Sequence, residues 1–328
     1  MIASWSSRGR GTVTLLVIST AMLGCRAAPD GGSGALPAPA VRERMLIGAD
    51  ALAARLARSP ESIIVLHVAR SQGEFDSAHI PGARFLRLGD IVVERDGIPN
   101  EFPPRAQLDS VLASAGATRP ANVVVYGEPL AAARAYVTLE AMGKGSSTAL
   151  LDGGLQAWRV AGHAVSNEDS GVGGEWSGDA TGQRSSPDPA HIVDAEWVES
   201  HRNSAGIALI DARPPDEFTG EKPGEGVERP GHIPGARNLF WKRLLQSDSL
   251  PMLLDTVTLR RLFVTAGAAP GDTVVAYCRT GMQASYAYFV ARYLGYDARM
   301  YDGSFLDWAR VRTRAVETGP TVGDPAGS

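Results

Sequence analysis

Cys278 is the residue whose surroundings best fit nucleophilic sulfur chemistry. It follows a β-prone, mostly apolar run, Thr273–Ala276, and precedes a segment with apolar residues at helical spacing, 286–294. Gly295 closes that segment as a helix stop. The sequence therefore predicts a short loop that holds a thiol between the carboxyl end of a buried strand and the amino end of a helix.

The groups around Cys278 could activate this thiol. The backbone N–H groups of residues 279–283 can curl around the sulfur, and the positive end of a helix that begins near Met282 points at the same place. Arg279 adds a full positive charge next to the cysteine. We expect these groups to lower the pKa of the thiol and to favour a thiolate that handles an anion.

The spacing after Cys278 excludes a cysteine-dependent phosphatase. Such enzymes place an arginine six positions after the cysteine, where it clamps the phosphate bidentately. Ala284 stands at that position. The sequence also lacks metal-ligand spacing, a phosphate-binding glycine loop and a dinucleotide fingerprint, so we predict neither a metal nor a cofactor.

The chain contains an internal repeat. The segment His79–Ala83 recurs as His232–Ala236, and Val123–Tyr126 is matched by Val274–Tyr277. Each copy alternates strands with helices, which implies a parallel sheet covered by helices on both faces. Active sites in such sheets lie at the carboxyl ends of strands, where Cys278 falls.

These motifs carry a resemblance to a known family. The pattern Cys-Arg-x-Gly-x-x-Ala-Ser between strand and helix, with the repeated His-Ile-Pro-Gly-Ala turn, resembles the rhodanese (thiosulfate sulfurtransferase) family over roughly residues 45–316. The resemblance implies an α/β fold of two tandem rhodanese-like domains, each a parallel sheet flanked by helices. It also implies that the loop cysteine takes a sulfane sulfur from a donor, becomes a persulfide and passes the sulfur to an acceptor.

The predicted organisation has six parts. A signal peptide at 1–25 and a flexible tether at 26–44 come first. An inactive rhodanese-like domain at 45–165 and a linker at 166–190 follow. A catalytic rhodanese-like domain at 191–316 and a flexible tail at 317–328 complete the chain.

The two copies differ where the chemistry would occur. Gly127 matches Cys278 and cannot carry a persulfide, and Glu128 would repel an anionic donor where Arg279 attracts one. We therefore predict a catalytically inactive first domain. The resemblance to two-domain members of the family implies that it packs against the second domain and helps to wall its pocket. A separate binding role for this domain stays open.

The resemblance also suggests how a donor is held. Arg213 would project toward the cysteine and bind the anionic donor, although a surface salt bridge with Asp216 or Glu217 is the alternative. In this comparison Arg70 is the counterpart of Arg213 in the first domain. His79 and His232 occur in both copies, so we interpret them as braces of their turns rather than catalytic bases.

The remaining substrate-binding candidates follow the cysteine in the loop. Thiosulfate-using members of the family often have two basic residues there, whereas mercaptopyruvate-using members have small neutral ones. This chain has one basic residue, Arg279, and one small neutral residue, Thr280, so the choice between the two donors stays open. The candidates are Arg279, Thr280, Gly281, Met282 and Gln283.

The amino terminus predicts export. Arg8 and Arg10 precede an apolar stretch, 12–23, that is too short to span a membrane, and Cys25 follows it. This arrangement resembles a bacterial lipoprotein signal, in which the cysteine is lipidated. An ordinary secretory signal, giving a periplasmic or secreted protein, and an uncleaved anchor helix are the alternatives. We expect the cell envelope as location, with membrane attachment through Cys25.

The predicted function is transfer of a sulfane sulfur from thiosulfate to a thiophilic acceptor, such as cyanide in vitro, through a Cys278 persulfide. Mercaptopyruvate as donor is one alternative, and a persulfide carrier without small-molecule turnover is another. The expected partners are a small anionic sulfur donor and an unknown acceptor. The net charge of −4 does not suggest a nucleic-acid partner. An insertion in the second copy, 219–230, could cover part of the cleft between the domains.

Overall fold

The computed structural model describes residue 42 and residues 44–117, 121–168 and 191–320. The predicted signal peptide with Cys25 lies outside this set, as does the tail beyond residue 320. All described residues belong to one compact unit, Ser33–Ser328. None of the helices among them is long and apolar enough to cross a membrane.

The first domain contains a five-stranded parallel sheet in the order β1-β7-β6-β2-β3, and a separate antiparallel pair, β4-β5. Its strands are β1 (Leu46–Ile47), β2 (Ile63–Ala69), β3 (Arg84–Arg87), β4 (Val93–Arg95), β5 (Ile98–Glu101), β6 (Asn122–Gly127) and β7 (Thr148–Leu151). Its α-helices are α1 (Ala49–Arg58), α2 (Gln72–Ser77), α3 (Arg105–Ser114), α4 (Pro129–Ala141) and α5 (Gly154–Val160).

The second domain repeats this arrangement with a five-stranded parallel sheet in the order β8-β12-β11-β9-β10. Its strands are β8 (Ile192–Val193), β9 (Ile207–Asp211), β10 (Arg237–Asn238), β11 (Thr273–Tyr277) and β12 (Asp297–Tyr301). Its α-helices are α6 (Ala195–His201), α7 (Pro215–Thr219), α8 (Thr256–Thr265), α9 (Met282–Leu294) and α10 (Ser304–Arg310).

The composition of the central strands explains the layered fold. All seven residues of β2 are buried, and so are all residues of β11 except the first. Strands covered on both faces consist of continuous apolar runs rather than alternating patterns, because neither face meets water. The predicted fold class, two parallel sheets flanked by helices, is confirmed.

The repeated histidines brace the turns that follow α2 and α7. The Nδ1 atom of His79 lies 3.0 Å from the carbonyl oxygen of Phe75, and the two rings stack at 4.1 Å. The Nδ1 atom of His232 lies 2.9 Å from the carbonyl oxygen of Phe218, with a stacking distance of 3.8 Å. The same contacts in both copies support a structural role.

The domains join through helices α4 and α9, which are both largely buried. One continuous apolar core includes residues from both domains, among them Tyr136 and Phe289, whose rings meet edge to face at 4.7 Å. Glu140 of α4 accepts a hydrogen bond from Tyr288 at 2.8 Å and forms an ion pair with Arg292 at 2.9 Å. Apolar packing and a polar network therefore both fix helix α9, which follows the Cys278 loop, against the first domain.

Each domain also extends a segment onto the other. After β5, the N–H of Phe102 donates to the Asp302 carboxylate at 2.8 Å. In the opposite direction, the N–H of Leu253 donates to Asp152 at 2.9 Å. The two aspartates thus bind the backbone of the neighbouring domain.

Candidate active site

Cys278 lies at the carboxyl end of β11, and its residue is only 1% exposed. Backbone N–H groups of Ala284, Thr280 and Gln283 interact with the sulfur in the direction that lowers the pKa of its thiol. The sequence predicts that N–H groups of residues 279–283 surround the sulfur. Thr280 and Gln283 belong to that range, whereas Ala284 lies one residue beyond it, in the first turn of the helix. The first turn of α9 therefore points its free N–H groups at the sulfur, as an anion-binding helix terminus does.

The expected direction of the thiol pKa is wrong. Burial raises the pKa of Cys278 from its ordinary value of 9.0 and outweighs the three N–H hydrogen bonds, which lower it. The nearby Asp211 carboxylate raises the pKa further. Sequence patterns indicate which groups surround a sulfur, but they do not show how completely it is removed from water.

This pKa direction predicts a pH dependence of alkylation. A thiol with a raised pKa is mostly protonated at neutral pH, so the thiolate fraction grows as the pH rises through that pKa. We expect the rate of Cys278 alkylation by iodoacetamide to increase steadily from neutral pH upward, without a plateau below pH 9.0. A plateau at neutral pH, measured by mass spectrometry on the Cys278 peptide, would instead show a stabilised thiolate.

The backbone of Gly281 shapes the loop. Its φ angle of +88° lies in the left-handed region, where glycine has no steric penalty. A Cβ atom there would approach Asp302 to 3.2 Å and the Arg134 guanidinium to 3.3 Å. The loop therefore lies closely against an ion pair that joins the domains.

Thr280 connects the cysteine loop to the first domain. It is 8% exposed, and its hydroxyl accepts a hydrogen bond from the Asn100 side chain at 3.0 Å. The carbonyl oxygen of Asn100 in turn accepts from Arg134 at 2.6 Å. Sequence reasoning missed both first-domain residues. The sequence places both residues in the copy predicted to be inactive, and it gives no indication that they contact the cysteine loop of the other copy.

Arg213 is fully buried and bound to a different carboxylate from the two that the sequence suggested. Its Nη2 lies 2.6 Å from Asp211, and the same nitrogen donates to the Gly231 carbonyl at 2.8 Å. The guanidinium also covers the Phe305 ring at 4.1 Å. The alternative prediction, a surface salt bridge of Arg213 with Asp216 or Glu217, is therefore wrong: Arg213 is buried against Asp211, and Asp216 pairs instead with Lys222. The Nη1 atom of Arg213 is buried and has no hydrogen-bond partner among the described residues.

The two domains differ between the paired strands and the helix that follows. Tyr277 pairs with Asp211 in the second sheet, and Tyr126 pairs with His67 in the first. From these levels to the next helix, which begins at Gln72 or Pro215, the first domain has one more residue than the second. Arg70 and Arg213 each lie two residues before that helix, but Arg70 is exposed whereas Arg213 is buried.

Arg279 lies beside the insertion at 219–230. Its side chain is 33% exposed, and a guanidinium nitrogen lies 3.9 Å from Glu225. A Cβ atom at Gly224 would come within 2.7 Å of the Arg279 side chain and 2.8 Å of Glu217. The insertion thus contacts the cysteine loop and brings the Glu225 carboxylate near its cation. Met282 and Gln283 are partly buried at the start of α9.

The corresponding loop of the first domain has no room for a side chain. A Cβ atom at Gly127 would lie 2.2 Å from the Val68 carbonyl oxygen. A cysteine at this position would force the backbone to move. The first domain therefore lacks both the nucleophile and the space for it.

Comparison with known proteins agrees with this architecture. A family model described as "Rhodanese-like domain" matches residues 49–161 and 194–311. The probable 3-mercaptopyruvate sulfurtransferase of Pseudomonas aeruginosa is 33% identical over 287 residues, covering 84% of this chain and 98% of that protein. The thiosulfate sulfurtransferase of Corynebacterium glutamicum is 32% identical over 257 residues, covering 75% of this chain and 81% of that protein.

Solved structures show the same fold at lower identity. The anaerobic ergothioneine biosynthesis enzyme from Chlorobium limicola, in complex with its natural substrate trimethyl histidine, superposes with a TM-score of 0.73 at 21% identity. The match covers 85% of this chain and 71% of that protein. From the two matched domains and these relatives, the chain belongs to the rhodanese family of sulfurtransferases, as a member with two rhodanese-like domains in tandem.

Proposed function

We propose that this sulfurtransferase moves the sulfane sulfur of thiosulfate to a thiophilic acceptor through a persulfide on Cys278. The observation that carries the proposal is the set of backbone N–H groups from Thr280, Gln283 and Ala284 around the sulfur. Such preorganised donors stabilise the negative charge of a thiolate or a persulfide without rearrangement. The cyanide ion is a convenient acceptor for the assay.

The reaction has two displacement steps. The Cys278 thiolate attacks the outer sulfur of thiosulfate, a new S–S bond forms, and the electron pair of the broken S–S bond leaves with sulfite. The acceptor then attacks the outer sulfur of the persulfide, and the bonding pair returns to the cysteine as a thiolate. No net oxidation or reduction of the protein occurs over the cycle.

Mercaptopyruvate is the second candidate donor. The charge of Arg213 is matched by Asp211, and Glu225 lies near Arg279, so the surroundings of the sulfur carry less net positive charge than two free arginines would supply. Thr280 is also neutral at a position where a second cation would favour a dianion. These features suit a donor with a single negative charge, and the relative from P. aeruginosa carries that name.

Parallel assays with the two donors separate these candidates. We expect thiocyanate formation from cyanide with a higher kcat/KM for thiosulfate than for mercaptopyruvate. Arg279→Gln should lower kcat/KM for thiosulfate about tenfold, because a charge-assisted contact to the dianion is lost. Lys222→Gln removes a cation of the same insertion that already pairs with Asp216, and it should have little effect.

The other outcomes have definite meanings. A higher kcat/KM for mercaptopyruvate would replace thiosulfate as the proposed donor. Absence of turnover with either donor would contradict small-molecule transfer and favour a persulfide carrier that delivers sulfur to a protein partner.

We also propose that the protein is exported and lipid-anchored at Cys25 in the cell envelope. The support is the basic segment with Arg8 and Arg10, followed by the short apolar stretch that ends at this cysteine. Incorporation of labelled palmitate by the chain, but not by Cys25→Ala, tests the anchor. Equal labelling of the two would contradict it.

A further inference from the structure

The first domain has a cavity at the place that corresponds to the active site of the second. Its volume is about 340 Å³, and its lining includes Gly127, the counterpart of Cys278. The second domain supplies part of the wall through Asp248, Ser249 and Pro251. The inactive domain thus keeps a pocket that is completed by its neighbour, although it has lost the nucleophile.

The charges of this pocket are inverted relative to the catalytic site. Glu128 stands where the catalytic loop has Arg279, and Arg70, in the place of the buried Arg213, is exposed and does not line the cavity. Pro129, which begins α4, also removes one backbone N–H from the helix end that would face an anion. The features that favour an anion in the second domain are therefore replaced by a carboxylate and a missing donor, and the counterpart of the buried arginine lies outside the pocket.

His67 provides a buried polar atom at this pocket without a partner among the described residues. The residue is 4% exposed, lines the cavity, and its Nδ1 atom has no hydrogen bond. Burial lowers the pKa of His67 to about 4, so the ring is neutral at physiological pH and does not repel a cation. A buried nitrogen without a partner is costly, and a ligand that bonds to it would remove that cost.

We propose that this cavity binds a small molecule that carries a primary ammonium group. Such a group has three N–H donors, and the lining offers His67 together with the carboxylates of Glu74 and Glu128 as acceptors. The guanidinium of Arg159 also lines the cavity and is outnumbered by these carboxylates. The volume is in the range of small-molecule sites. This site is separate from Cys278 and independent of sulfur transfer.

Calorimetric titration of the full chain with 1,4-diaminobutane tests the proposal. At neutral pH and physiological salt we expect saturable binding of one molecule per chain. Glu128→Gln should weaken binding about tenfold or more, because a hydrogen bond between two charged groups becomes one with a single charge. Glu128 is exposed and makes no capping hydrogen bond, so the variant should fold normally, which circular dichroism checks.

Two controls keep this site distinct from the catalytic one. Glu61→Gln removes an exposed carboxylate that does not line the cavity, and Cys278→Ala removes the nucleophile. Both variants should bind the diamine like the unmodified chain. Absence of saturable binding to the unmodified chain, or equal affinity in Glu128→Gln, would overturn the ammonium site. Neither result would bear on thiosulfate turnover, which is measured separately.

Discussion

Cys278→Ala is expected to lower thiocyanate formation by roughly three orders of magnitude or more, the scale seen when a covalent nucleophile is removed. Alanine cannot accept the sulfane sulfur, and the first displacement step has no other acceptor in the proposed mechanism. The substitution removes one sulfur atom from a buried position that is only 1% exposed. We therefore expect a small loss of stability and an intact fold by circular dichroism.

The second cysteine of the chain supplies the matched control. The sequence contains two cysteines, and Cys25→Ala should retain full turnover in the same assay. Residual turnover of Cys278→Ala at a tenth of the original rate would contradict a covalent role for this residue. Equal losses in both variants would indicate a general effect of cysteine removal rather than a missing nucleophile.

Arg134→Met is expected to destabilise the protein strongly. Arg134 is fully buried in α4, donates to the Asp302 carboxylate at 2.9 Å and covers the Phe102 ring at 3.6 Å. Methionine fills part of the space but leaves Asp302 nearly buried without its cation. Removing one partner of a buried ion pair costs about 3–5 kcal/mol in the free energy of unfolding. Urea unfolding measures this change.

The same substitution should also reduce turnover. The Arg134 guanidinium lies against the cysteine loop, 3.3 Å from the place of a Cβ atom at Gly281, and it holds the backbone of Asn100, whose side chain binds Thr280. Loss of these contacts would allow the loop to move relative to the donor. We expect a lower kcat/KM in conditions where the variant is still folded.

Two further variants interpret the stability result. Lys222→Met breaks an exposed ion pair and should cost less than about 1 kcal/mol. Asp302→Asn in the Arg134→Met background should recover part of the loss, because the carboxylate left unpaired is then neutral. Similar effects of Arg134→Met and Lys222→Met would show that the buried pair does not hold the domains together.

The fold could be predicted from the sequence because its signals are local. The β-prone run before Cys278, the apolar helical segment after it and the repeated His-Ile-Pro-Gly-Ala turn each follow from short-range patterns. Their order then implies the parallel sheets. The location of Cys278 at the carboxyl end of β11 follows from the same reasoning.

The contacts around the site could not be predicted because they join distant parts of the chain. Arg134 and Asp302 are 168 positions apart, and Asn100 and Thr280 are 180 apart. The sequence offers no pattern that pairs such residues across two domains. The predicted direction of the Cys278 pKa shift is wrong for a related reason. Burial raises this pKa, and burial is a property of the assembled fold rather than of the loop.

The Ala-Arg pair of each repeat shows what an alignment of the two copies cannot reveal. Arg70 and Arg213 each lie two residues before the following helix, as the aligned pairs predict. Arg70 is nevertheless exposed, whereas Arg213 is fully buried and paired with Asp211. The first domain therefore lacks a buried arginine at this place as well as the cysteine, which is in keeping with the prediction that it is inactive.

The most direct test of the persulfide mechanism is the mass of the Cys278 peptide after exposure to thiosulfate. The protein would be incubated with thiosulfate in the absence of an acceptor, digested without a reducing agent and analysed by mass spectrometry. We predict that this peptide gains the mass of one sulfur atom, and that cyanide restores the original mass with release of thiocyanate. An unmodified Cys278 peptide, under conditions where thiosulfate and cyanide are turned over, would contradict the mechanism.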